Sequence, residues 1–224
     1  MLTGRRKSAR HIILTLLGLL CFPSAVDAKP SVNKMFAVYK VHFLGANLGK
    51  FKLWADIGKG SYTLKGETKL EMGFIVKGLL FDLKGGAQSS GAIKNSSPLP
   101  KHYGLHFESK KKHGKLDMNF AGNRVDAVVT QPQMRDNPRA VPVTNAHVTN
   151  VLDPLSAVFL TKLHNAGKNH DDACRQNVPV FDGRHRFNLN LTHKKTVRVK
   201  RSGKKGYAGV AVVCAGCGGV AVGS

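Results

Sequence analysis

Acidic side chains are scarce in this chain: 13 Asp and Glu stand against 35 Lys and Arg, a formal net charge of +22. That imbalance excludes an acidic or charge-balanced surface and favours anionic partners. Aromatic residues make up 7% of the chain, with one tryptophan, Trp54. Neither a zinc-finger spacing nor an aromatic RNA-binding strand motif is present, so nucleic acid is not an expected partner. Long apolar runs are missing beyond residue 28, and a spanning helix needs ~20 apolar residues. No transmembrane segment is therefore expected there. There is no GxSxG, no HExxH and no Walker-type phosphate loop, so no enzyme class is indicated, and neither a cofactor nor a metal is expected.

What is present begins at the N terminus. Residues 1–28 place Arg5, Arg6, Lys7 and Arg10 ahead of the apolar run Ile12 to Phe22, followed by Pro23, Ser24 and Ala25. This charged, apolar and small-residue order is that of a cleavable signal peptide, with Val26 and Ala28 meeting the small-residue rule and cleavage expected before Lys29. The bland alternative is an uncleaved N-terminal anchor, against which the break at Pro23 argues. Lipidation at Cys21 is rejected because Leu20, not a small residue, precedes it. The expected location is the periplasm of a bacterial-type envelope.

Without residues 1–28 the chain carries 31 basic and 12 acidic residues, a net +19 over 196 residues. That is enough chain for one domain, here residues 29–214, with a real core. The charge suits an anionic lipid, lipopolysaccharide or peptidoglycan surface, although it would also simply keep a protein soluble. Cys174, Cys214 and Cys217 remain, and outside the cytoplasm a pair among them is expected to be bridged. Cys174 and Cys214 both abut strand-like runs and are the expected pair. Cys214 and Cys217 have the spacing of a redox pair, but no helix follows to lower a thiol pKa. Cys217 instead falls in a Gly/Ala-rich tail, residues 215–224, expected to lack fixed structure. His164 and His170 are too loosely spaced to indicate a zinc site.

From Lys34 onward apolar residues alternate with polar ones: Phe36, Val38, Val41 and Phe43, then Phe51, Leu53 and Ala55. A period near two indicates half-buried strands. Turn residues fall at Gly45 to Asn47, Gly58 to Ser61, Gly85, Asn95 to Pro98, Lys110 to Gly114 and Gly122 to Asn123. The expected fold is mainly β: a strongly curved antiparallel sheet, or an open or half β-barrel, because twist accumulates along a meander of short strands.

Between Gln131 and His147 three prolines make an irregular crossing, after which TNVLDPLSAVFLTKL adopts helical spacing. Asp153 before Pro154 reads as an N-cap with proline at the first helical position. Leu155, Val158, Phe159 and Leu163 form one apolar stripe, so an amphipathic helix is expected to plug or cover the concave face of the sheet. Further strands are expected around Asn177 to Phe181, Arg186 to Thr192, Thr196 to Lys200 and Val210 to Cys214.

YKVHFLGANLGKFKL, NVLDPLSAVF, CRQNVPVFDGRHRFNLNL and GYAGVAVVC together resemble the domain of unknown function 3108 family in its alphaproteobacterial form, over Met35 to Cys214. The most specific part is the DPLSA helix with the C-x5-VFDGRxRF block. The resemblance implies a signal-bearing β protein of the cell envelope without an assigned activity, and a bridge between the cysteines matching Cys174 and Cys214. The ending AGCGGVAVGS departs from the family pattern, as a truncation or frameshift would, and would leave a sheet edge unpaired.

The reading favoured by this pattern is a non-catalytic envelope protein that binds an amphipathic ligand or an envelope partner, its cavity lined by Phe43, Trp54, Phe74, Leu80, Phe107, Val158 and Phe159. Trp54 is expected in the core. The competing class is an envelope hydrolase or glycan-modifying enzyme drawing on His42, His102, His106, His113, His185 or His193 with Asp153, Asp182 or Glu108. A third reading is a structural envelope-integrity scaffold. Lys110, Lys111 and Lys112 make a turn that is most simply a solvated tip and otherwise an anion contact. Asp182 and Gly183 fit a two-residue hairpin turn, and Arg184 and Arg186, expected on one strand face, are the other candidate anion contacts.

Overall fold

A computed structural model describes residues 33–43, 46–72, 81–109, 112–134, 141–159, 174–201, 203 and 207–218. The signal peptide, Phe74, Leu80, Lys110, Lys111, Leu163, His164, His170 and residues 219–224 lie outside these, as do the side chains of His42, Phe43, Phe159 and Cys217.

Seven strands follow one another as an antiparallel meander: β1 (Asn33–Phe43), β2 (Ala46–Ile57), β3 (Ser61–Met72), β4 (Phe81–Lys94), β5 (Ser97–Ser109), β6 (His113–Ala121) and β7 (Arg124–Gln131). β1 and β7 form the two edges and do not pair with each other, so the sheet is open and no barrel closes. Alternation gives β2 to β7 buried residues on one side, whereas the edge strand β1 has none among its described residues and leaves Phe36 and Val38 exposed. Ala55, Leu64, Ser89, Tyr103 and Met118 face one another across five strands and are all buried. The β4–β5 turn falls at Asn95 and Ser96, which both have positive φ (50° and 58°) as a two-residue hairpin demands. Gly85, in contrast, is no turn. It lies inside β4, which runs 14 residues, opposite Phe107, where a Cβ would sit 2.6 Å from His106 O, so the glycine admits a close approach of the β5 backbone.

The helix sits where the concave face is shallow. Leu53, Gly66, Ala87, Leu105 and Leu116 form one cross-strand row, and the small residues in its middle leave a trough. A Cβ on Gly66 would lie 3.4 Å from Leu155 Cδ1 of α1 (Pro154–Phe159). Leu155, Ser156 and Ala157 are buried, whereas Val158 is 59% exposed. The expected apolar stripe is thus corrected at Val158: the described helix has six residues, under two turns, and buries its first three side chains after Pro154.

The second sheet has the order β10-β9-β8, with β8 (Gln176–Phe181), β9 (Arg186–Val199) and β10 (Gly209–Gly218). β9 is one continuous strand where two were expected. β10 runs through Cys217 to Gly218, pairing Ala215 with Thr192 and Gly218 with Leu189, so the expected domain end at 214 falls inside a strand. Residues 149–152 link the two sheets: Thr149 bridges Arg124 of β7, and Leu152 N–H donates to Pro179 O while its carbonyl accepts from Phe181 N, both at 2.9 Å. Cys174 is bridged to Cys214, with Cα atoms 5.4 Å apart. Among the described residues no helix is long and apolar enough to cross a membrane.

Candidate functional site

The most ordered chemistry in the fold is a chain of hydroxyls under the helix. Ser89 Oγ donates to Asp153 Oδ2 at 2.9 Å. Each hydroxyl has one proton to give, which fixes the other directions: Ser156 donates to Ser89 (2.8 Å) and Tyr62 donates to Ser156 (2.9 Å). The remaining carboxylate oxygen, Asp153 Oδ1, accepts from Leu155 N at 3.0 Å and Ser156 N at 2.9 Å, which is the N-cap geometry expected of Asp-Pro. Asp153, Ser156 and Ser89 are 0%, 0% and 1% exposed. Burial pushes the Asp153 carboxyl above its ordinary range, opposed by the hydrogen bonds from Ser156, Ser89 and Leu155. Burial likewise pushes the Tyr62 phenol up to about 12 and raises Tyr103, with the Asp153 and Asp182 charges adding to it. Sealed from solvent, this cluster fastens the helix to β3 and β4 and is out of reach of a substrate.

The concave face becomes accessible one row further on. Tyr39, Phe51, Thr68, Gly85, Phe107 and Gly114 face one another across β1 to β6. Tyr39 is 42% exposed and Phe107 36% exposed, while Phe51 is half-buried with its ring 6.3 Å from that of Tyr39. A Cβ on Gly114 would sit 2.6 Å from the Phe107 ring and one on Gly66 2.5 Å from the Phe51 ring. The rings therefore lie down over glycines, and an aromatic shelf results rather than a filled core. Of the residues expected to line a cavity, Phe107 is on this shelf. Trp54 is not: it points to the opposite, convex side, half-buried, with the Phe36 ring 5.2 Å away and Lys65 Nζ 5.4 Å from its centroid. Its neighbours Leu53 and Ala55 take the core side, and the pleat sends the residue between them outward.

The convex face bears an open depression of about 400 Å³ bordered by Gln88, His102, Gly104, His106, Lys115 and Asp117. His102 Nε2 lies 3.3 Å from Asp117 Oδ1, with side chains 43% and 60% exposed. On the same face Lys40, Lys50, Lys69 and Lys84 stand opposite one another on four adjacent strands, with Glu108 next in the row.

The other sequence-derived sites are turns. Lys112 accepts from Ser109 N through its carbonyl at 2.7 Å and donates its own N–H to Ser109 Oγ at 3.0 Å, which closes the β5–β6 connection. Asp182 Oδ1 accepts from Arg184 N (2.8 Å) and His185 N (2.6 Å), and Oδ2 lies 3.2 Å from His185 Nδ1. The connection spans Asp182 to His185 rather than two residues, so Arg184 is a turn residue and does not share a strand face with Arg186, whose guanidinium meets Asn188 Oδ1. Among the described residues no three His, Cys, Asp or Glu side chains come together as a metal site would require. One basic feature escaped the sequence reading. Lys194, Lys195, Arg198, Lys200 and Arg201 gather on the far half of β9 and just beyond it, all exposed. The signal was available, since no Asp or Glu follows Asp182, but a charge summed over the whole chain conceals it.

An open antiparallel half-barrel with a short helix pinned to its concave face by buried hydroxyls, continued by a disulfide-anchored three-stranded sheet, defines the class of protein. The chain belongs to the family described as protein of unknown function DUF3108, whose model matches residues 38–215. No curated protein and no solved structure matches it.

Proposed function

We propose that this is an exported, non-catalytic protein of the bacterial cell envelope that binds an amphipathic ligand on the aromatic shelf of its open half-barrel. The observation that carries the reading is the partly exposed row Tyr39, Phe51 and Phe107, with the Phe51 ring over Gly66 and the Phe107 ring over Gly114. Such a surface accepts an acyl chain or another flat apolar group, and its open side leaves a polar end in water. Export is supported by the signal-like residues 1–28 and by the Cys174–Cys214 bridge, a bond that persists in oxidising compartments. The basic surface directs the protein towards anionic lipid, lipopolysaccharide or peptidoglycan.

The binding test uses cis-parinaric acid, a fluorescent fatty acid, titrated into the wild type and into Phe107→Ser with Tyr39→Ser. Loss of at least ten-fold in affinity is expected, since each exposed ring contributes about 1 kcal/mol or more of apolar contact; equal binding by the two proteins would refute the shelf. The address test is N-terminal sequencing of protein recovered from the periplasmic fraction. A start at Lys29 is expected, and a cytoplasmic protein retaining Met1 would refute export.

A hydrolytic reading has one observation in its favour, the His102–Asp117 pair in the convex depression. Both side chains are well exposed, whereas electrostatic catalysis draws its strength from water-poor sites. His102→Ala leaving every envelope phenotype intact is the expected result.

A further inference from the structure

We infer that the far half of the β9–β10 ribbon is a docking arm for the headgroup layer of an anionic lipid bilayer. The three strands of the second sheet contain no Asp or Glu, whereas β1–β7 carry seven among eleven Lys and Arg. β8 pairs with β9 from Arg186 to Leu191 and no further. From Thr192 to Val199 β9 pairs with β10 and, among the described strands, with no other, so two strands project past the end of β8. Eight residues at ~3.3 Å each make an arm on the order of 25 Å long.

Five basic side chains decorate this arm: Lys194, Lys195, Arg198, Lys200 and Arg201, all exposed. Charge on an edge strand also serves to prevent pairing with other chains, but a charge or two of either sign suffices for that. Five of one sign attract an anionic surface instead. The residues between them fit a bilayer better than a nucleic acid. Val197, Val199, Val212 and Val213 are half-buried, and Val210 is 39% and Tyr207 61% exposed. Valines present no hydrogen-bonding edge to a base, whereas Tyr and apolar residues among Lys and Arg are the composition found at headgroup depth. The arm is also tied towards both ends. Tyr207 Oη donates to Val210 O at 2.7 Å, and at the root Cys214, opposite His193, is bridged to Cys174.

The arm and the aromatic shelf lie on different sheets, so this inference stands or falls separately from ligand binding. The experiment is sedimentation of purified protein with vesicles of phosphatidylcholine containing phosphatidylglycerol and with vesicles of phosphatidylcholine alone. Two triple variants are compared with wild type: Arg198→Gln, Lys200→Gln, Arg201→Gln in the arm, and Lys34→Gln, Lys59→Gln, Lys94→Gln on β1, the β2–β3 turn and β4. Both remove the same charge, and unchanged circular dichroism certifies both folds. Each basic residue near an anionic surface contributes roughly five-fold to partitioning, so the arm variant is expected to lose ~100-fold and the control only a few-fold. Molar salt, which shortens the screening length to ~3 Å, should release the wild type. Equal losses in the two variants, indifference to phosphatidylglycerol, no vesicle binding, or tighter binding to a DNA duplex than to the vesicles would each overturn the inference.

Discussion

Ser89 on β4 donates a hydrogen bond to Asp153 at the start of α1, 64 residues away in sequence, and neither side chain reaches solvent. This contact and the Ser156–Tyr62 contact beside it fasten the start of α1 to the half-barrel. Replacing Ser89 by Ala removes the donor and leaves a buried carboxylate oxygen without it. The expected loss is about 2–3 kcal/mol, measured as a lowered urea midpoint. A loss below about 0.5 kcal/mol would mean that the oxygen finds another donor.

The same burial gives Asp153 a pH signature. Its folded pKa is raised above the ordinary 3.8, so between that value and the raised one the folded protein holds a proton that the unfolded chain releases. Its contribution to stability therefore declines as pH rises through that window and is level on either side. Asp153→Asn keeps an N-cap acceptor but cannot titrate. Subtracting its stability–pH curve from that of wild type should isolate a falling step above pH 3.8; a flat difference would contradict the assignment.

Gly183 in the β8–β9 turn has φ +95°, and a Cβ there would lie 2.2 Å from Leu116 Cδ1 of the buried core. Gly183→Ala combines backbone strain of about 1–3 kcal/mol with overpacking of about 1–3 kcal/mol. A fall in melting temperature of several degrees is expected. Gly122, also at positive φ (64°) but with nothing within 4 Å, should show only the backbone part.

Cys174 and Cys214 close a loop with a sequence separation of 40. In the chain-entropy description such a bridge contributes about 4 kcal/mol. The paired substitution Cys174→Ser with Cys214→Ser should lower the urea midpoint accordingly, and adding reductant to wild type should reproduce the change. Insensitivity to both would show that the bridge is not closed in solution.

Lys50 stands between Lys40 and Lys69 on the convex face. Like charges directly opposite on neighbouring strands destabilise a sheet, so Lys50→Gln is expected to raise stability by about 0.5 kcal/mol at low salt. The gain should vanish at molar salt, where the screening length falls to ~3 Å; a loss of stability at low salt would show that the row is compensated.

Alternation made the strands legible, because a pleated chain with one buried side must repeat every second residue. Asp153-Pro154 was legible for a similar reason: an N-cap is a contact between neighbours in sequence. Gly85 misled, since a glycine that lets the chain turn and one that admits the close backbone of a partner strand look alike until that strand is in place. Trp54 misled because a period of two permits either face, and its packing against Phe36 and Lys65 on the convex side depends on pairing across three strands.

By itself the sequence determined that the chain is mainly β, where the helix begins, the excess of positive charge and the signal-like start. Those properties are written in residues a few positions apart. Tertiary structure alone decided that the sheet stays open, that Ser89 and Tyr62 meet the helix, that aromatic rings lie over glycines and that five basic residues share one projecting ribbon. Each of these depends on register between strands far apart in the chain, and register is set by the joint burial of every row at once.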